Sequence, residues 1–290
     1  MKYSDSAAYY HVCTDGNALD WMFNDNDDFI AGINRIGICK LISNVLIIAY
    51  VLMDNHVHFV LEGTLSQCKK FLLQYKVLTG KWNSKKYKTS NPLRLLPSQL
   101  ILIHDEEQLL ETIAYLDRNA IVAGFQYLPQ EYQWGSARFI FKDESNSNIN
   151  TRLIKELNLK ERHQLLNTWH KIPDNWRVLP NGMIDPQCFL EVNQVEKVFK
   201  SPIKYIYYLS KKLEGKIELM QGTQIFISDK ELRKITHTLA EELFGKTSIQ
   251  ELDFNSKITI ARKLRYNHAS TAKQISRMLS IDHETITKFI

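Results

Sequence analysis

Apolar and polar positions change their period several times along the first 125 residues. Ala8–Thr14 (AYYHVCT), β-branched and aromatic, predicts a first strand, and Asp15-Gly16-Asn17 after it is turn chemistry. From Asp27 to Ser43, the residues Phe29, Ile30, Ile33, Ile36, Ile38 and Leu41 recur at helical spacing. Val45–Met53 and His56–Leu61 then read as two strands, joined by a tight turn at Asp54-Asn55. Leu65–Leu78 carries a helical stripe of Leu65, Cys68, Leu72 and Tyr75. Leu95–Ile103 is a fourth strand, weakened at Pro97. Asp105–Val122 is a helix; its acidic start suits the positive helix end, and Gly124 stops it. The order β-α-β-β-α-β-α predicts an α+β fold: a ferredoxin-like (split βαβ) unit with one added helix.

The stretch DESNSNIN at 143–150 has no apolar period and predicts a linker, so we expect units at 1–145 and 151–290. The second is expected to be mainly α-helical, with elements at Leu153–His170, Phe189–Phe199, Ile203–Leu213 and Asp229–Phe244, and a turn-rich connection at Val178–Ile184. At about 258–290 come Ile258–Leu264, Thr271–Leu279, the short turn Ser280-Ile281-Asp282 and His283–Ile290. That spacing predicts a terminal helix-turn-helix, with His283, Glu284, Thr285 and Lys288 available to bases or phosphates. It also fits a plain three-helix bundle.

Composition narrows the class. With 44% hydrophobic and 24% charged residues the chain is an ordinary globular one. Its longest wholly apolar run, Val45–Met53, is about half a membrane span, and the first residues hold no apolar signal core. Cys13, Cys39, Cys68 and Cys188 lie far apart, as reduced thiols in a cytoplasmic protein do. The net charge of +5 divides unevenly, −2 over residues 1–145 and +7 over 146–290. The stretch from Thr64 to Arg94 holds eight basic residues and no acidic one, with Tyr75, Trp82 and Tyr87 interleaved. Ammonium groups for phosphates and rings for unstacked bases suit single-stranded nucleic acid, which makes Lys69, Lys70, Lys76, Lys81, Lys85 and Lys86 candidate DNA contacts. A solvated helix face running into a loop has the same composition.

The candidate chemistry centres on YVLMDNHVHFVLEG at 50–63. Alternation along a strand puts His56 and His58 on one face, half of a divalent-metal site. Two satisfied histidines in a half-buried strand give the same pattern. Downstream, Tyr115 and Asn119 stand at i and i+4, on one helix face.

YHV at 10–12, LMDNHVHFVLEG at 52–63, DEEQLLETIAYLDRNAIVAGF at 105–125 and PQEYQWGSARFIF at 129–141 together resemble the single-tyrosine HUH transposases, in particular the REP-associated branch. The likeness covers about residues 8–142. It implies that His56 and His58 ligate Mg²⁺ or Mn²⁺, that Asn119 can complete the metal site, and that Tyr115 is the nucleophile. The implied activity is cleavage and transfer of single-stranded hairpin DNA through a 5′-phosphotyrosine, in a nucleoid-associated cytoplasmic protein that can form a homodimer. Asp54 stands where the family usually has proline, and Asp15 where it often has arginine. The Asn-Pro-Val-Arg run of the family is Asn119-Ala120-Ile121-Val122 here. The lost arginines leave open a DNA-binding regulator that does not cleave.

Overall fold

The computed structural model describes residues 6–16, 18–19, 21–88, 93–122, 128–142, 150–166, 168–210, 229–268 and 270–290. The expected stop at Gly124, nearly all of the 143–150 linker and the end of the 203–213 helix lie outside them. Four strands, β1 (Ala8–Thr14), β2 (Leu46–Leu52), β3 (Val57–Gly63) and β4 (Ser98–Ile103), form one antiparallel sheet in the order β2-β3-β1-β4. Helix α1 (Asn26–Ser43) lies between β1 and β2 in sequence, and α2 (Leu65–Tyr87) between β3 and β4. Because β1 and β2 both run antiparallel to β3, and β3 and β4 both antiparallel to β1, each helix joins two parallel strands across an intervening third. Helix α3 (Glu106–Val122) follows β4.

The sheet register decides which side chains share a face. In the β1–β3 pair, Cys13 is opposite His58 and Val12 opposite Phe59. Val12 and Phe59 are fully buried, and Phe59 meets the rings of Phe71 and Tyr75 from α2. Alternation therefore sends His11, Cys13 and His58 to the other face, the one that α3 covers.

Helix α2 runs nine residues beyond the expected Leu78, and a buried carboxylate near the start of α1 accounts for it. Asp28 accepts hydrogen bonds from Trp82 Nε1 (2.7 Å), Lys86 Nζ (2.9 Å) and Tyr87 Oη (2.6 Å). Asn83 donates to Met22 O at 3.0 Å. The Trp82–Tyr87 end of the basic-aromatic stretch is thus tied to α1 and the segment before it. Tyr75 is fully buried, and Trp82 and Tyr87 are committed to Asp28, so these rings are not free for bases.

The outer edge of β2 is covered. Leu52 N donates to Trp134 O (3.0 Å), Tyr50 N to Ser136 Oγ (3.0 Å), and Glu191 N to Ile47 O (2.9 Å). The β4 edge exposes Ile101 and Leu102.

The core does not end at residue 145. One apolar cluster runs from Tyr10 to Leu209 and includes Ile154, Leu157, Trp176, Ile184, Phe189 and Phe199. Asn34 of α1, buried, donates to Gly182 O (3.0 Å) and accepts from Ile184 N (2.6 Å). Gly37 of α1 lies against Trp176 and Phe189, where a Cβ would come within 2.9 Å of the tryptophan ring. The expected Leu153–His170 helix is instead a two-residue strand β5 (Arg152–Leu153), paired with β6 (Arg177–Val178), then a 3₁₀ turn and α4 (Leu159–Leu166). Asn158 and Glu161 cap that helix reciprocally. Helices α5 (Val192–Phe199) and α6 (Pro202–Ser210) complete this part.

A second, smaller core holds α7 (Asp229–Phe244), α8 (Phe254–His268), α9 (Ala272–Leu279) and α10 (His283–Phe289). Leu232, Ile260, Leu264, Ile275, Leu279 and Ile286 are its fully buried residues with Ala240 and Ala261. Thr271 and Gln274 form a capping box at the start of α9, and Ser280 ends it in the left-handed region (φ 51°). Asp282 then caps α10 through Thr285 N.

Candidate active site

The histidine face carries more ligand atoms than the sequence reading assigned. His11 Nε2 stands 3.1 Å from His58 Nδ1. The ligand atoms of His11, Cys13 and His58 all lie within 4.8 Å of one another, a cluster that could hold a metal ion. The strand pattern could have revealed the two partners on β1, since His11 and Cys13 are an i, i+2 pair in AYYHVCT, the same spacing that singled out His56 and His58. What sequence could not supply is the β1–β3 register that brings the pairs together.

His56 precedes β3, and its ring centroid is 4.9 Å from that of His58 at an interplanar angle of 85°. Its Nδ1 is 2.7 Å from Asn55 Oδ1. The Asn55 amide nitrogen donates to Gly16 O, which fixes the amide and leaves Oδ1 as acceptor. His56 therefore carries its proton on Nδ1 and offers the lone pair on Nε2, the second-partner arrangement of metal-binding histidines. Gly16 allows this contact: a Cβ there would lie 3.0 Å from His56 Nδ1.

Helix α3 delivers Tyr115. Leu109, Leu110, Ile113, Ala114 and Leu116 are buried along the helix, while Tyr115 projects from it and is 45% exposed. Asp105 and Gln108 cap its start. The Tyr115 ring centroid is 5.6 Å from His58 and 5.9 Å from His11, edge-on to both. The nucleophile candidate and the imidazoles thus meet on one face of the sheet. Asn119 is turned along its own helix, with Nδ2 donating to Tyr115 O (2.9 Å) and Leu116 O (3.3 Å), so Oδ1 is the atom through which it could ligate.

Burial sets the protonation states. Desolvation brings His56 down to about 3, with the nearby Arg277 and Arg233 charges acting in the same direction. It brings His11 down to about 4 and His58 well below the usual imidazole range. All three imidazoles are neutral at pH 7, the form that ligates metal and accepts a proton. Burial also raises the Tyr115 phenol and the Cys13 thiol. Two imidazoles and a thiol make a borderline-soft donor set. It suits Zn²⁺ or Co²⁺, imidazole alone accommodates Mn²⁺, and Mg²⁺, which asks for oxygen, fits least well.

No family model, curated protein or solved structure matches this chain.

The lysines separate into two groups. Lys69, Lys70, Lys81 and Lys85 are exposed along α2. Lys76 is buried and donates to Leu96 O and to Ser98 Oγ (3.3 Å), and Lys86 is paired with Asp25 (2.6 Å) and Asp28 (2.9 Å). These two ammonium groups hold the fold rather than facing a ligand, correcting the expectation for them. On α10, His283 and Lys288 are exposed, while Thr285 is spent on the cap: its backbone N–H and Oγ1 both donate to Asp282.

Proposed function

We propose that this chain is a metal-dependent strand transferase for single-stranded DNA, with Tyr115 as its nucleophile. The observation that carries the reading is the meeting of the half-exposed Tyr115 with His58 and His11 on one face of the sheet. The strand order β2-β3-β1-β4 with its two split crossovers supports a ferredoxin-like core. The capped pair α9 and α10 with its three-residue turn supports a helix-turn-helix.

In this reading Tyr115 Oη attacks the scissile phosphorus, a P–O bond to tyrosine forms, and the bond to the 3′ oxygen breaks. The phenol proton passes to a base that does not hold the ion, His11 where the ion rests on His58 and His56, and the leaving 3′ oxygen takes up a proton. The 5′-phosphotyrosine keeps the phosphodiester's energy, so the strand can be rejoined by the reverse step. A divalent ion held by His58 with His11, Cys13 or His56, and by Asn119 through Oδ1, would polarise the phosphate oxygens. Of the two ions implied by the resemblance, Mn²⁺ is the better match to these donors. Lys69, Lys70, Lys81, Lys85, His283 and Lys288 are exposed positions for DNA contact. The open β4 edge, with Ile101 and Leu102, is a surface on which a second copy could pair. Among the described residues no helix is long and apolar enough to cross a membrane, and a nucleoid-associated location follows from the proposed substrate.

A second reading, a DNA-binding regulator that does not cleave, is favoured by one observation: Asp15 and Val122 stand where the resembled family carries arginine. Incubation with labelled single-stranded hairpin oligonucleotides and Mn²⁺ separates the two. Strand transfer gives a covalent adduct on Tyr115 that Tyr115→Phe abolishes. DNA binding with no adduct in the wild-type chain leaves the regulator.

A further inference from the structure

Two arginines of the C-terminal helices reach the histidine side of the sheet. Arg233 of α7 pairs with Asp54 at 3.7 Å, their side chains 12% and 13% exposed. Asp54 lies two residues before His56, in the turn that opens β3. Arg277 of α9 grips the buried Asp229 with Nε at 2.9 Å and Nη2 at 3.0 Å, and Gln274 donates to the same carboxylate at 3.1 Å. The charges of Arg233 and Arg277 are felt at His56, and that of Arg277 at Tyr115.

The two arginines are not equally satisfied. Asp229 holds Arg277 in a fork. The contact from Arg233 to Asp54 is too long for a hydrogen bond, and among the described residues Arg233 Nε, buried, has no acceptor. A buried, unpaired donor costs about 1–3 kcal/mol, more when charged, so it marks a place where an acceptor belongs. A guanidinium offers a planar fork that matches the oxygens of a phosphodiester. The charge balance agrees: residues 1–145 carry −2 and residues 146–290 carry +7, so the cations for a polyanion come from the second half.

We propose that Arg233 is a phosphate seat, with Arg277 lending charge beside it, through which the C-terminal helices complete the Tyr115 site. The inference rests on the strand-transfer reading for the identity of its ligand, a backbone phosphate of single-stranded DNA. Asp54 holds the guanidinium until the phosphate replaces it.

The test uses the full chain and a single-stranded hairpin oligonucleotide. The Arg233 Nε–Hε resonance, assigned by its loss in Arg233→Gln, should shift saturably as the oligonucleotide is added. Arg233→Gln should bind about tenfold more weakly, and its log–log salt slope should fall by about 0.7, one single-strand phosphate contact. Arg233→Lys should restore most of the slope. Asp54→Asn, which frees the guanidinium, should tighten binding several-fold, and it serves as the test if Arg233→Gln does not fold. A folded Arg233→Gln with unchanged affinity and slope, or an Asp54→Asn with unchanged affinity, overturns the seat. A wild-type chain that shows the shift and the slope but forms no adduct supports the seat and ends the strand-transfer reading. Equal adduct yield from the wild type and Arg233→Gln overturns the seat and keeps that reading.

Discussion

The imidazole nitrogens of His11 and His58 face each other at 3.1 Å across the β1–β3 pair. At that distance they share one proton, or two lone pairs turn toward one ion. The second arrangement predicts that His11 matters to the metal as much as His58. His11→Ala should weaken Co²⁺ or Zn²⁺ binding by tenfold or more. Cys13→Ser should erase the thiolate-to-Co²⁺ absorption. Full-strength Co²⁺ binding in His11→Ala would mean that the ion sits elsewhere, on His56 and His58.

The same groups set a pH dependence. His11 and His56, at about 4 and about 3, are already deprotonated above pH 5, whereas the Cys13 thiol is pushed above its ordinary value. A thiolate ligand must therefore release its proton on binding. Affinity for Zn²⁺ should climb about tenfold per pH unit from 6 to 8 and become flat in Cys13→Ser. Calorimetry in buffers of different ionisation enthalpy would count the proton released.

Asp117, on α3 two residues after Tyr115, should tie stability to pH in the opposite sense from most carboxylates. Burial pushes its carboxyl up to about 7, against the hydrogen bond from Tyr205 and the charge of Arg118. The folded chain then holds a proton that the unfolded chain has lost above pH 4. Stability should fall as pH rises from about 4 to about 7, by on the order of a few kcal/mol. Asp117→Asn keeps an acceptor for Tyr205 and removes the charge, so its melting temperature should vary less over that range.

Asp28 behaves in the other direction. Burial opposes its charge, but hydrogen bonds from Tyr87, Trp82, the Asn24 backbone and Lys86 outweigh burial and lower its pKa. The stability it contributes is present above the unfolded-state value and is lost as pH falls through the folded one. Asp28→Ala should cost about 2–4 kcal/mol, because it leaves Trp82 Nε1 and Tyr87 Oη without their acceptor, while Lys86 keeps Asp25. Urea denaturation at pH 7 would measure the loss.

Gly16→Val should disturb the site without entering the core. A branched side chain at Gly16 meets the His56 ring and breaks the Asn55 contact that sets its tautomer. Metal affinity should drop by about tenfold, as for other lost second-partner contacts, with little change in melting temperature.

Much of this was legible in the chain. β1 and α7 begin and end where the apolar pattern put them, and the turns at Asp54-Asn55 and Ser280–Asp282 fall at their polar residues. What the pattern missed was set by distant partners. Asp28 lengthens α2, and pairing of Leu153 with Arg177 draws Leu153 out of the helix predicted there. The Asn158-x-x-Glu161 cap was readable and marked the true start of α4. At the site, strand alternation singled out His56 and His58, and the resemblance of 105–125 singled out Tyr115, but only the β1–β3 register adds His11 and Cys13.

Asn34 has a consequence for how the chain is made. Its two backbone partners lie 148 and 150 positions downstream. At roughly 5–20 residues per second, a ribosome needs on the order of 10–30 s to reach them after α1 has emerged. For that interval the back of α1, where Gly37 will meet Trp176 and Phe189, has no cover. The sheet and its histidines are translated early, yet the fold closes only when a segment far from the site arrives. A nascent chain cut at residue 145 would carry every imidazole of the cluster and Tyr115, and aggregate with its apolar back open.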